Sequence, residues 1–516
     1  MSLEQDEKDY KISHIENTTG TDSKEETKYD EHVADTLAAD YVDHTVVITP
    51  EENRRLRRRA FKYLLPAMCI AYVTQSLDKG TLGSASIMGW QADVGAVGQD
   101  YALTSTFLYV GIIAGEPVVN QLIRRYPVAK ILGFSMVVWS ALLFGITFSL
   151  SVAPVFVLRA LLGFFESSFN PCLVAITVQW FLVEEQAMIT TIWQLMFVLA
   201  NFVASLLAYG FYQIHGNEGI RTRGLYTWQW MTLCIALISS IASGIVLIFL
   251  PDSPPQARWA TPEEKVKFIE RVRKNDQGIK QVVWRTEQAW EVLRDPMPWL
   301  LFLMIFFETL VVGGLNTFNS LLINQAFGFS VGQSQLLGMP LAVFQGILYV
   351  LIGWLVTKTK NTVFCMIGYI IVNIIGTIVL ITVAPTPTTR GGLLVAFYFM
   401  QCCQSVSPCM WSMLSRNVAG QTKKSIVYAL FFIGWAGGNA IGPQFFVAAW
   451  APRYLNSLYI HIAIYVCFIV DVLAIRLITT GRNKARDNAL HGGRNIHGHA
   501  FEDMTDLENR DFRYSY

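Results

Sequence analysis

Charge is scarce in this chain: Lys, Arg, Asp and Glu make up 15% of its 516 residues, where soluble domains carry about 25%. With 53% hydrophobic residues and a mean hydropathy of +0.37, that scarcity excludes a soluble domain and points to a polytopic membrane protein. No cleavable leader is expected either, because the sequence opens on acidic and polar residues rather than a basic stretch followed by an apolar one. The first apolar span is therefore expected to act as the uncleaved insertion signal. No cysteine is placed for an extracellular disulfide: Cys69, Cys172, Cys234, Cys365, Cys402, Cys403, Cys409 and Cys467 all lie in apolar segments. None has zinc-like spacing, so they are expected to be packing residues, with no metal and no cofactor. A basic, aromatic-interleaved stripe for nucleic acid is absent. So is a nucleophile–base pair or a soluble segment of catalytic size, which argues against an enzyme.

What the chain does have is apolar runs long enough to cross a bilayer, each about 20 residues. Twelve spans are expected, near 62–88, 102–123, 128–149, 154–181, 187–212 and 228–250, then 298–323, 334–357, 362–384, 391–414, 425–449 and 458–479. The fold class is an all-α membrane protein of two pseudo-symmetric six-helix halves, 61–250 and 298–480. Residues 1–60 are expected to be a disordered acidic tail ending in the basic anchor Arg54-Arg55-Leu56-Arg57-Arg58-Arg59. Residues 251–297, opening Pro251-Asp252-Ser253-Pro254, read as a connector, and 481–516 as a tail. Asn17-Thr18-Thr19 matches a glycosylation pattern by chance, and His491, His497 and His499 belong to an exposed tail rather than a metal tract. Basic residues Arg124, Arg125, Lys130, Lys358, Lys360, Arg416, Lys423, Lys424, Arg482, Lys484 and Arg486 fall on one side. Arg221, Arg223, Arg390 and Arg453 fall on the other. The imbalance places both termini in the cytosol. The loop Val183-Glu184-Glu185-Gln186 carries no basic residue.

Against that apolar background, Arg159-Ala-Leu-Leu-Gly163-Phe-Phe-Glu166 in span four stands out. A charge at the bilayer centre costs at least about 2.5–3.5 kcal/mol, so it faces a protein interior or a wet cavity. Seven residues are about two turns, which puts Arg159 and Glu166 on one face roughly 10 Å apart, too far to pair with each other. Asp78-Lys79 in span one supplies the missing partners. Adjacent helical residues point about 100° apart, so one is expected to reach span four while the other faces a central cavity. A lysine there attracts an anion. A carboxylate there has its charged form disfavoured by burial, and can load a proton on one side and release it on the other.

Softer signals are Glu116 in span two and Glu308 in span seven, as gate or secondary acids. Gln194 and Asn201 share a face of span five and are expected to line the cavity. So are Asn316 and Asn319 in span seven, Gln345 in span eight, and Gln401 and Gln404 in span ten. Trp435 and Asn439 flank Gly437-Gly438 in span eleven. Interhelical hydrogen bonds are an equal alternative for the amides. Setting Glu308 aside, the second half is expected to keep its charges near helix ends.

At these residues the chain resembles the major facilitator superfamily, and within it the anion:cation symporters, including the fungal allantoate permease-like organic acid and vitamin transporters. The resemblance spans about residues 55–480. It rests on Asp78-Lys79, Arg159-x-x-x-Gly163-x-x-Glu166-x-x-x-x-Pro171, Pro251-Asp252-Ser253-Pro254, Asn417-x-Ala419-Gly420-x-Thr422-Lys423 and Gly442-Pro443-Gln444 within span eleven. It implies that Lys79 and Arg159 hold a substrate carboxylate while Asp78 and Glu166 carry protons, the coupling ion. Three departures are visible. Lys79 replaces an Arg and so lacks its bidentate fork. The loop Asn120–Arg125 lacks the usual aspartate, and Thr357 stands at an acid's place. The reading is a monomeric plasma-membrane importer of a small organic anion such as a carboxylate, ureide or acidic vitamin, whose partners are the substrate and the bilayer. A drug:proton antiporter and a non-transporting nutrient sensor remain as alternatives; span five lacks Gly and Pro from Trp193 to Tyr209, against the antiporter signature.

Overall fold

The computed structural model describes residues 48–215, 221, 224–273, 284–489 and 503–516. The tail 1–47 with Asn17, and also Arg223, Lys274, His491, His497 and His499, lie outside the described residues. Among those described, the regular elements are helices and there is no β-strand. Eleven helices are long and apolar enough to cross a membrane. A twelfth, Leu65–Ala85, has the length but carries Gln75, Asp78 and Lys79, which lower its hydropathy. It is span one.

The other first-half spans are Asp100–Arg125, Val128–Phe148, the broken pair Val152–Glu166 and Phe169–Trp180, Val183–His215 and Thr227–Phe249. Those of the second half are Pro296–Leu321, Val331–Thr359, Thr362–Thr382, the broken pair Arg390–Met400 and Ser407–Asn417, Gln421–Ile441 and Leu455–Ala489. Several boundaries are written in the local sequence. Asp295 accepts from the Met297 amide at 3.1 Å and Pro296 follows at the first helical position, where its missing N–H costs nothing. Ser330 and Gln333 form a capping box for span eight. Span eleven ends at Ile441, and Gly442–Phe445 is a 3-10 turn. Pro443 therefore closes the helix instead of lying inside it as expected, because it offers no amide to continue the ladder.

Small residues let the helices close up, since lipid supplies no hydrophobic drive between them. A Cβ on Gly163 would overlap the carbonyl of Leu108, and one on Gly111 would overlap that of Ala160. Spans two and four thus touch backbone to backbone, one turn from both Arg159 and Glu166. Gly438 and Gly442 play the same part between spans seven and eleven, against Phe306 and Leu310.

The halves are joined to each other at the face away from the chain termini. There Tyr101 donates to the Thr317 carbonyl at 2.5 Å, Gln335 to that of Ser84 at 3.1 Å and Thr106 to that of Ala440 at 2.6 Å. At the termini face each half carries its own clasp. Residues 50–60, placed in the disordered tail by the sequence reading, instead belong to a helix, Pro50–Tyr63, capped by Thr49 and Glu52. Its Glu52 and Arg59 pair with Lys267 and Glu264 of the connector helix Pro262–Arg273. Arg271 of that helix binds Glu185 at 2.6 Å, which occupies the loop that lacked a basic residue. The Lys267 ammonium and the Thr49 amide hold the Glu52 carboxyl down at about 2. On the second half, the connector helix Thr286–Arg294 and the segment 503–516 surround Lys423. That lysine is fully buried between Glu291 (2.8 Å), Asp295 (2.9 Å) and Asp506 (2.7 Å). It is a structural pin that ties the connector helix and the segment 503–516 to span eleven.

Candidate functional site

The four charges singled out in spans one and four meet in the bilayer depth as two crossed pairs. Asp78 Oδ2 lies 3.5 Å from Arg159 Nη1, and Lys79 Nζ lies 3.1 Å from Glu166 Oε1. Both residues of the span-one dipeptide therefore reach span four, where only one was expected to. The long side chains bridge the 100° between their Cα–Cβ directions. Asp78, Arg159 and Glu166 are buried, whereas the Lys79 side chain keeps 23% of its surface exposed. Lysine is thus both an ion-pair partner and the most exposed member of the network.

The network is not fully satisfied. Gln75, one turn before Lys79, donates its amide to Glu166 Oε1 at 2.5 Å. Glu166 Oε2 and Arg159 Nε are buried without a hydrogen-bond partner. Each marks an acceptor or donor position open to a proton or an anion. Gln75 was not picked out from sequence, although its placement one turn from Asp78-Lys79 was a usable signal.

Aromatic rings complete the surroundings. Tyr109 of span two stands edge-on to Trp435 of span eleven, with centroids 5.7 Å apart, and so joins the halves beside the charges. Tyr72 packs on Trp193 at 5.3 Å. Both Tyr72 and Tyr109 lie within electrostatic reach of Lys79. Tyr349 of span eight lies within reach of Tyr72 and of Glu308. Tyrosines are too common in membrane helices for the sequence to have singled these out.

The remaining expected residues distribute unevenly. Asn201 donates to its own helix at Phe197 (3.0 Å), and its oxygen packs against Gly80 of span one. Gln194 is exposed on the same helix. Asn316 is exposed between buried neighbours, and Asn319 Oδ1 is buried without a partner. Gln345 and Gln404 hydrogen-bond each other at 3.1 Å, the interhelical alternative. Asn439 is buried, donates to the Trp435 carbonyl at 2.8 Å and packs on Gly313. Glu116 is half-buried and accepts from Asn120 at 3.4 Å, away from the four charges. Glu308 is buried with Oε2 unpartnered. Asp471, in the middle of span twelve, is buried with both oxygens unpartnered. This corrects the expectation that the second half keeps its charges, Glu308 aside, near helix ends. No group of three or more His, Cys, Asp or Glu side chains suited to a metal occurs among the described residues, and all eight cysteines are free. A cavity of about 660 Å³ opens on the termini face, but Glu291, Asp295 and Arg482 in its wall are already committed to ion pairs.

Two six-helix halves, sealed at one face and enclosing buried charges near the middle of the bilayer, define a multi-pass membrane transporter for a small molecule. Residues 68–443 match the Major Facilitator Superfamily model, and the chain belongs to that family. It is 30% identical over 491 residues to the allantoate permease of Saccharomyces cerevisiae, covering 91% of this chain and 88% of the relative. It is 28% identical over 500 residues to a thiamine pathway transporter of the same yeast, covering 96% and 92%. Among solved structures, a bacterial homologue of the human lysosomal transporter Spinster superposes with a TM-score of 0.60 at 15% identity. That match covers 81% of this chain and 96% of the other, and shows the shared fold.

Proposed function

We propose that this chain imports a small organic anion together with protons, by alternating access, across the plasma membrane with both termini in the cytosol. One observation carries the reading: the partly exposed Lys79 is paired with the buried Glu166. An anionic substrate that approaches Lys79 competes with Glu166 for the ammonium. Deprived of its partner in a low-dielectric site, the Glu166 carboxylate becomes more basic and takes a proton. Substrate and proton therefore enter together. When the halves rock and the anion leaves, Lys79 returns to Glu166 and expels the proton on the other side. Asp78 and Arg159 form the parallel pair. The arginine's unpartnered Nε offers a second donor to the substrate carboxylate.

The aromatic walls and the amides of Asn316, Gln194 and Asn439 supply shape and orientation around the anion, with Glu116 and Glu308 as secondary acids. Two features support this reading. One relative is named for allantoate, a carboxylate; the other is the surplus of basic residues at the termini face, which favours a cytosolic placement. The test is uptake of a panel of labelled carboxylates, ureides and acidic vitamins by cells expressing the chain, in acidic and in neutral medium. Stronger uptake of at least one anion in acidic medium is expected. Uptake indifferent to pH would contradict proton coupling, and no anion uptake despite surface expression would contradict the substrate class.

A further inference from the structure

Span ten is not a continuous helix: Gln401–Val406 is a 3-10 segment in the middle of the membrane. Such a mid-helix 3-10 stretch keeps its own backbone hydrogen bonds, with poorer geometry than an α-helix, and often marks a functional hinge or a strained sequence. Spans seven, eight and nine all pack on it. Span nine approaches so closely that a Cβ on Gly376 would lie 2.7 Å from the Ala396 carbonyl. Around the break the structure gathers buried polar atoms with no hydrogen-bond partner: Ser405 Oγ, Gln401 Nε2, both amide atoms of Asn373, the Tyr465 hydroxyl and Glu308 Oε2.

These groups share one region. Glu308 lies within electrostatic reach of Cys403 in the break, and Tyr465 of span twelve within reach of Glu308, Cys402 and Cys403. The Tyr465 hydroxyl reaches toward Thr377 without completing a hydrogen bond, and Thr377 sits one turn from Asn373, donating to its carbonyl at 2.8 Å. So many orphaned groups, each at least nine-tenths buried, call for a bound species.

We propose that the second half holds a binding site for one small monovalent cation, cradled between Glu308 and the 3-10 segment 401–406. The unpartnered oxygens, Glu308 Oε2, Ser405 Oγ, the Tyr465 hydroxyl and Asn373 Oδ1, form a donor set that suits a hard cation. The charge count selects a monovalent one. Glu308 is the single carboxylate of the group, and Asp471 lies six positions beyond Tyr465, about 240° around the helix and so on another face. The amide donors of Asn373 and Gln401 take the waters that complete the cation's shell. This site stands apart from the paired charges of spans one and four, and it does not depend on which solute the transporter carries.

The experiment uses the purified full-length protein without substrate, in sodium, potassium or choline chloride at equal ionic strength. Sodium or potassium is expected to raise the melting temperature saturably over choline, as a ligand that binds only the folded state must. The increment should vanish in Glu308→Gln, and its half-saturating concentration should rise in Ser405→Ala, a milder change that keeps the fold. Identical melting of the wild-type protein in all three salts would overturn the site. So would an undiminished cation shift in Glu308→Gln. Neither result bears on anion uptake, so failure here and failure of the importer reading are separable.

Discussion

The two halves treat buried charge in opposite ways. In the first, two acids and two bases are brought to mid-membrane and paired across spans one and four. In the second, Glu308 and Asp471 have no ion-pair partner, and the paired charges sit at the termini face around Lys423. A closed set of pairs can exchange one partner for a substrate without leaving a bare charge in lipid. Unpaired buried acids cannot do this unaided; they need a proton or a cation. On the proposed reading, the difference puts substrate exchange in the first half and cation holding in the second.

Removing a partner from the closed set should have the largest effect. Arg159→Ala leaves Asp78 as an uncompensated buried charge, a loss of about 3–5 kcal/mol, read as failure of the protein to survive purification. Pairing it with Asp78→Asn should restore the folded protein but not uptake. Restored uptake would mean that the pair is architectural and that the contrast between the halves is one of packing only.

A smaller effect is expected at the second half's clasp. Asp506→Asn weakens one of three acidic contacts to Lys423, and a charge-assisted hydrogen bond of this kind contributes about 1.5–3 kcal/mol. The melting temperature should fall while the substrate KM stays unchanged; a shifted KM would tie the clasp to the binding site. Burial opposes the charge on Asp295, but Arg482 and Lys423 hold its carboxyl below the usual carboxylate range. Its contribution to stability is therefore complete above that range and is lost as pH falls through the lowered value. Acid titration of melting should show this loss, and Asp506→Asn should melt below the wild type at neutral pH.

Much of this was legible in the sequence, for a plain reason: a charge in an apolar run is expensive, so Asp78, Lys79, Arg159 and Glu166 announced themselves. Gly163 lies between two of them in sequence, but its backbone contact with span two became visible only in the structure. Asp471 carried the same signal and was passed over, although Arg476 lies only five positions further along the same span. The break in span ten depends on how spans seven, eight and nine cover it, and Pro408 alone does not locate it. Nor does composition reveal that 503–516 folds back onto the bundle. Its order comes from tertiary partners, with Asn483 of span twelve donating to the Tyr514 carbonyl at 2.9 Å and the Tyr516 ring 3.8 Å from the Arg476 guanidinium.

The most direct test of the central claim compares net uptake with counterflow exchange in Glu166→Gln. A glutamine keeps the hydrogen bonding but carries no proton. If Glu166 is the carrier, uptake driven by acidic medium is lost while exchange of internal for external substrate persists, because exchange needs no net proton movement. Retained acid-driven uptake in Glu166→Gln would contradict the account.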